Sequence, residues 1–238
     1  MNTTEFLNIT SLIVPDRTAI VFDGKRFSFQ ELEERVKKLA NALAGMGVRA
    51  GDRIASMQVN CNENIETYFA AAKLDAVYVP LNFRSRPEEI EYMINDSKPK
   101  ILITGERYVS MVDDIKENLT SVDGFVVMDD ASAEGWESYE QLLSTSSGED
   151  MYPMGDEDDL TMVMFTAGTT GSPKGVMLSH DSFASYLLAN VSPPDLESEE
   201  KNILTVPLYH IAGVQAVMAA IYGGRTLIIQ RQFEPVEW

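Results

Sequence analysis

The amino-acid sequence predicts an α/β fold made of parallel βαβ units, and three observations predict it. Short apolar runs suited to buried strands alternate with segments of helical period along most of the chain. The connecting segments are long enough to carry crossover helices between parallel strands. A chain of 238 residues also has length for one large domain or two small ones with a sizeable core.

From Ser28, the pattern Ser-Phe-Gln-Glu reads as a capping box. Leu32, Val36, Leu39, Ala40 and Leu43 then recur at helical spacing until Gly45 and Gly47 stop the run. Gly51-Asp52 turns the chain into a strand over Ile54 to Val59, followed by a helix carrying Ile65, Tyr68, Phe69 and Ala72. Ala76 to Val79 is the next predicted strand. Ser85-Arg86-Pro87-Glu88 repeats the capping logic with proline in the first turn and opens a helix to about Asn95. A strand follows at Ile101 to Thr104, then a helical segment near Tyr108 to Leu119 and a strand at Phe125 to Met128. Between Asp129 and Asp159 the chain is rich in Ser, Gly, Asp and Glu, with a short helical piece at Tyr139 to Leu143. This stretch reads as a surface connection or subdomain seam. The remaining elements are a strand at Thr161 to Phe165, a glycine-rich loop, a helix from about Asp181, a strand at Ile203 to Val206, a helix at Ala212 to Tyr222 and a strand at Thr226 to Ile229.

Charge narrows the function classes. Nineteen Lys and Arg against 37 Asp and Glu give a net charge of −18, a field that repels nucleic-acid backbones and anionic lipid surfaces. The single cysteine, Cys61, cannot form an internal disulfide and reads as a small buried side chain; with only two histidines, a structural zinc site is not expected. A reducing cytoplasm fits this composition. Met1 to Pro15 has no basic region ahead of its apolar residues and carries Glu5, unlike a secretory signal. The most apolar later stretch, Val206 to Gly224, is interrupted by His210 and Gln215 and suits a core helix better than a bilayer span.

The most informative segment is Thr166-Ala167-Gly168-Thr169-Thr170-Gly171-Ser172-Pro173-Lys174-Gly175, a strand running into three glycines, three threonines and a lysine. Glycines let backbone N–H groups approach an anion, threonine hydroxyls add donors or a metal ligand, and Lys174 adds a point charge for a phosphate. An ordinary solvated turn has the same composition, so both readings stand on the residues alone. The Walker A pattern is excluded, because Lys174 follows Pro173 and precedes Gly175 rather than a Ser or Thr.

Phe165 to Val176 resembles the signature loop of the adenylate-forming superfamily of acyl-CoA synthetases, luciferases and peptide-synthetase adenylation domains. Arg17 to Ile20, Ser28-Phe29, Gly51-Asp52-Arg53-Ile54, Ala72 to Asn82 and Pro207-Leu208-Tyr209-His210 resemble further landmarks in the family's order, with the nearest likeness to fatty or other carboxylic acid CoA ligases. Phe165 stands where Tyr is usual and Ala167 where Ser is frequent.

The resemblance implies the large N-terminal domain of such an enzyme, incomplete at its C-terminal end and lacking the C-terminal catalytic-lysine domain. It implies ATP, Mg²⁺ and CoA as cofactors and a small carboxylic acid as substrate. Thr166, Ala167, Gly168, Thr169, Thr170, Gly171 and Lys174 would surround the triphosphate, with Thr166 sharing Mg²⁺. His210 would stand at the junction of acid pocket and adenylation centre as the catalytic candidate, with Tyr209 and Gly213 beside it. A histidine between Tyr209 and Ile211 has an ordinary alternative as a hydrogen-bonded core side chain, and Asp156 to Asp159 read as a solvated approach to a strand. The family's later adenine, ribose and hinge elements have no counterpart in these 238 residues. A short non-catalytic acyl- or nucleotide-binding member, an adenylation domain with another acceptor and an unrelated phosphate-loop hydrolase are the alternatives. Homo-oligomerisation is left open.

Overall fold

The computed structural model describes residues 1–129, 131–166 and 171–233. Its elements in chain order begin with α1 (Thr4–Ile13), β1 (Thr18–Phe22), β2 (Lys25–Ser28), α2 (Phe29–Gly45), β3 (Arg53–Met57), α3 (Asn62–Lys73), β4 (Val77–Pro80), α4 (Pro87–Ser97) and β5 (Ile101–Thr104). They continue with α5 (Val109–Ile115), β6 (Gly124–Val127), β7 (Glu137–Ser138), α6 (Tyr139–Thr145), β8 (Leu160–Thr166), β9 (Lys174–Ser179), α7 (His180–Asn190), β10 (Lys201–Leu204), α8 (Ile211–Tyr222) and β11 (Thr226–Ile229).

Parallel pairing dominates, as expected, but in two sheets: a four-stranded one in the order β10-β11-β1-β2 and a seven-stranded one in the order β7-β6-β5-β3-β4-β8-β9. Two pairs are antiparallel, β1 with β2 and β8 with β9. The strands of the larger sheet read as unbroken apolar runs because both faces are covered. Ile54, Ile101, Ile103, Val126, Met162 and Met164 point to one core, shared with α2, α3, α8 and the smaller sheet. Ala55, Met57, Leu102, Val127 and Val163 point to the other, closed by Ile90, Met93 and Ile94 of α4 and Val112 of α5. Successive residues change face because the strand period is two.

Ser28 caps α2 as its sequence predicts: its hydroxyl accepts from the Glu31 amide at 3.1 Å while the Glu31 carboxylate accepts from the Ser28 amide at 2.7 Å. At α4 the cap is one residue later than Ser85. Arg86 is the N-cap, Pro87 is the first helical residue, and the Glu89 carboxylate accepts from the Arg86 amide at 2.9 Å. The helical segment expected near Tyr108 to Leu119 is α5 flanked by single 3₁₀ turns at Glu106–Tyr108 and Lys116–Asn118. Part of the 129–159 stretch is core, since Tyr139 and Leu143 are buried and Asp150 pairs with buried Lys73 at 2.7 Å.

Two strands end earlier than predicted, and side-chain amides explain both. The run expected over Ile54 to Val59 leaves the sheet at Met57, where the Gln58 side-chain oxygen accepts the Val59 amide at 2.8 Å. The strand expected at Ile203 to Val206 is Lys201–Leu204, and the Val206 carbonyl accepts from Asn60 at 3.1 Å instead of joining a ladder. Helix α1 and strands β1, β2, β7 and β9 were not expected. In α1 the Thr3 hydroxyl caps no helix amide and bonds instead to Tyr68 at 2.7 Å and to His180 Nδ1 at 3.0 Å, so the helix rests on these tertiary contacts and on burial of Phe6 and Leu7, with Phe6 packed at 5.3 Å from the Tyr222 ring.

Buried polar groups tie the helices together. Arg35 of α2 binds Glu66 of α3 (2.8 Å) and Glu140 of α6 (2.6 Å), and the Tyr139 hydroxyl donates to Glu66 at 2.9 Å. Burial alone would lower the Arg35 pKa, but hydrogen bonds to Glu140 and Glu66 hold it charged. Glu63, one turn before Glu66, is pushed up to about 7 by burial and then by the Glu66 charge. His180, which opens α7, is buried beside the chain's first residues: its Nδ1 lies 3.2 Å from the Thr3 amide, and burial lowers its pKa to about 4.

Candidate functional site

The strands β3, β4, β5 and β8 are mutually parallel, so their C-terminal ends lie on one edge of the larger sheet. Ligands of open α/β sheets bind beyond that edge. Residues near the ends of these strands make the candidate site: Gln58 to Asn60 after β3, Phe83 and Arg84 after β4, Gly105 to Tyr108 after β5, and, around the end of β8, Thr166 with Gly171 to Lys174.

Strands β8 and β9 form a β-hairpin. Strand β9, absent from the expected elements, pairs antiparallel with β8 and places Thr166 directly opposite Lys174, Phe165 opposite Gly175 and Met164 opposite Val176. The sequence hid β9 because it carries Gly175 and leaves Val176 and Met177 exposed. Gly175 has a packing reason: a Cβ there would lie 2.9 Å from the Val163 side chain, so a larger residue would hold the strands apart. Thr166 and Lys174 are both exposed, and the Thr166 hydroxyl makes only a long 3.4 Å contact to the Lys174 carbonyl. Lys174 has no ion-pair partner among the described residues. Gly171 is exposed at φ +126°, a conformation that side chains rarely adopt. Ala167, Gly168, Thr169 and Thr170 lie outside the described residues.

This donor set fits a polyphosphate: an ammonium without an ion-pair partner among the described residues, a hydroxyl with one long contact, and Gly171 lie near one strand end. Among the described residues no group of three His, Cys, Asp or Glu side chains could hold a metal. Asp156 to Asp159 do not serve here, since Asp159 accepts from the Asp156 amide at 2.8 Å in a local turn.

The second half of the edge is aromatic. The Tyr209 ring, 8 % exposed, packs edge-on to Phe83 at 5.4 Å and lies 4.3 Å from the His210 ring; Phe83 in turn meets Tyr108 at 6.4 Å. Arg84 and Arg107 lie over Phe83 and Tyr108 at 5.4 and 5.2 Å. The Tyr108 hydroxyl is buried without a partner among the described residues, and burial raises its pKa. His210 is the N-cap of α8 through its backbone and its side chain is exposed, so it is not a core histidine. Gly213 is buried in the first turn of α8, where a Cβ would come within 2.6 Å of the Pro207 carbonyl. It sets the approach of α8 to that turn. Behind Leu208 lies a narrow apolar crevice between α3, β8 and α8, bounded by Ile65, Tyr68, Phe69, Met162, Val214 and Met218. Sequence reasoning missed Phe83, Tyr108 and Asn60; Phe83 lies within the Ala72 to Asn82 landmark's immediate continuation, whereas nothing local marks the other two.

A family model described as AMP-binding enzyme matches residues 13–237. The chain belongs to that family. The AMP-binding chain is 31 % identical over 239 residues to an indoleacetate–CoA ligase of Aromatoleum aromaticum, covering 98 % of this chain and 46 % of the relative. It is 31 % identical to a long-chain-fatty-acid–CoA ligase of Thermus thermophilus, with 88 % and 39 % covered. Among solved structures, ATP-bound MatB from Rhodopseudomonas palustris superposes with a TM-score of 0.82 at 26 % identity, over 100 % of this chain and 47 % of that one. The inhibitor-bound N-terminal domain of FACL13 from Mycobacterium tuberculosis does so at 0.88 and 26 %, over 99 % and 58 %. The chain thus spans less than half the length of these curated relatives. Among the described residues no helix is long and apolar enough to cross a membrane.

Proposed function

We propose that this chain is the ATP-binding and acid-binding portion of a carboxylic acid–CoA ligase. The observation that carries the reading is the pairing of Thr166 with Lys174 at the loop end of the β8–β9 hairpin, on the ligand edge of a parallel sheet. In the first step a carboxylate oxygen attacks the α-phosphorus of ATP, forming the acyl-adenylate and releasing pyrophosphate. In the second, the CoA thiolate attacks the acyl carbon and AMP leaves. In this reading Lys174 neutralises triphosphate oxygens, the Thr166 hydroxyl would help hold the phosphates' magnesium, and Ala167, Gly168, Thr169, Thr170 and Gly171 are proposed as further triphosphate-binding residues. Magnesium, when bound, supplies charge neutralisation on the leaving pyrophosphate. Such catalysis is positioning and electrostatic stabilisation, for which a hairpin of N–H groups and one ammonium is suited.

His210 and Tyr209 face the acid in this reading, with Gly213 keeping α8 close behind them. The rings of Phe83, Tyr108 and Tyr209 give this side of the site an apolar wall, and the relatives include a long-chain-fatty-acid–CoA ligase and an indoleacetate–CoA ligase. An apolar acid is therefore proposed, with a fatty acid the first class to test. A cytoplasmic site suits a chain whose single cysteine is free and buried. Self-association through the β9 edge is part of the proposal, since Val176 and Met177 are 42 % and 72 % exposed there.

The test incubates Mg-ATP, CoA and a panel of carboxylic acids with two proteins, following AMP and pyrophosphate by chromatography. One is the 238-residue chain; the other is the same chain completed to its relatives' length with the second half of the indoleacetate–CoA ligase. Acid-dependent AMP release by the completed polypeptide and none by the short chain is expected. AMP or ADP release without any acid would favour a hydrolase, and equal acid-dependent rates would contradict the assignment of the missing chemistry to the second half.

A further inference from the structure

Residues 205–210, which deliver Tyr209 and His210 to the ligand edge, lie between the end of β10 and the start of α8 and belong to no strand. One side chain from the other sheet holds them. Asn60, just beyond β3, donates from Nδ2 to the Val206 carbonyl at 3.1 Å and accepts the Leu208 amide on Oδ1 at 3.0 Å. Its own backbone amide donates to the Arg231 carbonyl beyond β11 at 3.0 Å. Asn60 is 1 % exposed. Every polar atom of its side chain is thus committed, and donor and acceptor ends are not interchangeable, so the contact sets both the distance and the orientation of the segment. On its far side the segment is pressed by α8, where Gly213 leaves no room for a Cβ beneath the Val206 and Pro207 carbonyls. Between these two constraints, Tyr209 is held against Phe83.

We propose that Asn60 is a positioning residue for the acid-binding side of the site: it clamps Val206 and Leu208 so that Tyr209 and His210 sit at the sheet's ligand edge. The proposal rests on the reading of Tyr209 and His210 as the residues that face the acid. Asn60 does not itself touch the reacting atoms; it acts through the 206–208 backbone. A simple packing role would predict a general loss of stability, whereas the clamp predicts a local change at His210.

Two histidines make that distinction measurable, because His180 and His210 are the only ones in the chain. In carbon–proton correlation spectra of the ring positions, His180 reports the native docking of the N-terminus on α7, and His210 reports the clamped segment beside Tyr209. Asn60→Asp keeps the shape and the acceptor for Leu208, but loses the donor to Val206 and sets a carboxylate against that carbonyl. Asn60→Ser is the second variant, smaller and neutral. In at least one of them the His210 correlations are expected to move while those of His180 stay in place. Unmoved His210 signals in both variants, or loss of native His180 signals in both, would overturn the proposal. In the completed polypeptide, a variant with shifted His210 signals is expected to raise KM for the acid at least about fivefold with KM for ATP within about twofold. Shifted His210 signals with an unchanged acid KM would overturn the assignment of this segment to the acid, while leaving the clamp itself in place.

Discussion

The β8–β9 hairpin and the 205–210 segment both serve the same edge of the sheet, and they are built by opposite means. The hairpin carries its chemistry in plain residue types, Thr166 and Lys174, which are exposed and joined by one long side-chain contact. The 205–210 segment carries few chemical groups and is fixed by buried partners distant in the chain, Asn60 from one side and Gly213 from the other. Exposed groups with few protein partners can be changed without disturbing packing, whereas a buried segment whose polar groups are bonded cannot. Substitutions on the hairpin should therefore change binding without changing the fold, and substitutions behind the segment should change the fold first.

The largest effect expected is on the buried side, in how stability varies with pH. His180 is held near 4, below its ordinary 6.5, so it stabilises the native chain above pH 6.5 and that contribution is lost as pH falls through 4. Glu63, at about 7 against an ordinary 4.5, acts in the other direction. Its contribution is present below pH 4.5 and is lost as pH rises through 7. Between 4.5 and 6.5 the two slopes oppose each other. Urea unfolding of Glu63→Gln across this range should uncover stability that climbs more steeply with pH than in the parent, and His180→Gln should uncover a fall. Each difference reaches on the order of 3 kcal/mol across its window. Parallel curves for parent and variants would contradict the burial argument.

Gly213→Ala comes next. The new methyl would meet the Pro207 carbonyl at 2.6 Å and the Val206 carbonyl at 3.0 Å, main-chain atoms that cannot swing aside. Overpacking of this kind costs about 1–3 kcal/mol, which thermal unfolding would show as a Tm lowered by several degrees. An unchanged Tm would mean that α8 shifts freely and that the segment is less constrained than the geometry implies.

His210→Ala has the smallest expected effect. Its side chain is exposed and its role in starting α8 is played by its backbone, so the fold should be kept. In the completed polypeptide KM for the acid should rise roughly three- to tenfold, the effect of about 1 kcal/mol of lost contact. A change in ATP affinity alone would move His210 out of the acid pocket.

The legible part of the molecule is the part whose signals are local. The Ser28 capping box, the helices α2 and α3, and the strands β5 and β11 announce themselves within a few residues, and β5 and β11 fall at their predicted bounds. Strand β9 did not, because its glycine and its exposed Val176 and Met177 break the pattern that marks a buried strand. Helix α1 was not expected, and its N-terminal turn is held by His180, 177 residues away along the chain. The same distinction divides the site. Thr166 and Lys174 could be singled out because phosphate chemistry needs those residue types close together in the chain. Asn60 could not, since an asparagine after a strand reads as a turn residue, and its partners at Val206, Leu208 and Arg231 are contiguous only after the two sheets have met.

The most direct test of the central claim is Lys174→Ala in the completed polypeptide, with ATP varied at saturating acid and CoA, and the His180 and His210 ring signals recorded on the same protein. Loss of one charge-assisted contact to a phosphate is worth about 1.5–3 kcal/mol. The expected result is a kcat/KM for ATP lowered about tenfold or more, an acid KM little changed and both histidine signals in their native positions. An unaltered ATP dependence in a protein with native signals would contradict the placement of the triphosphate at the β8–β9 hairpin.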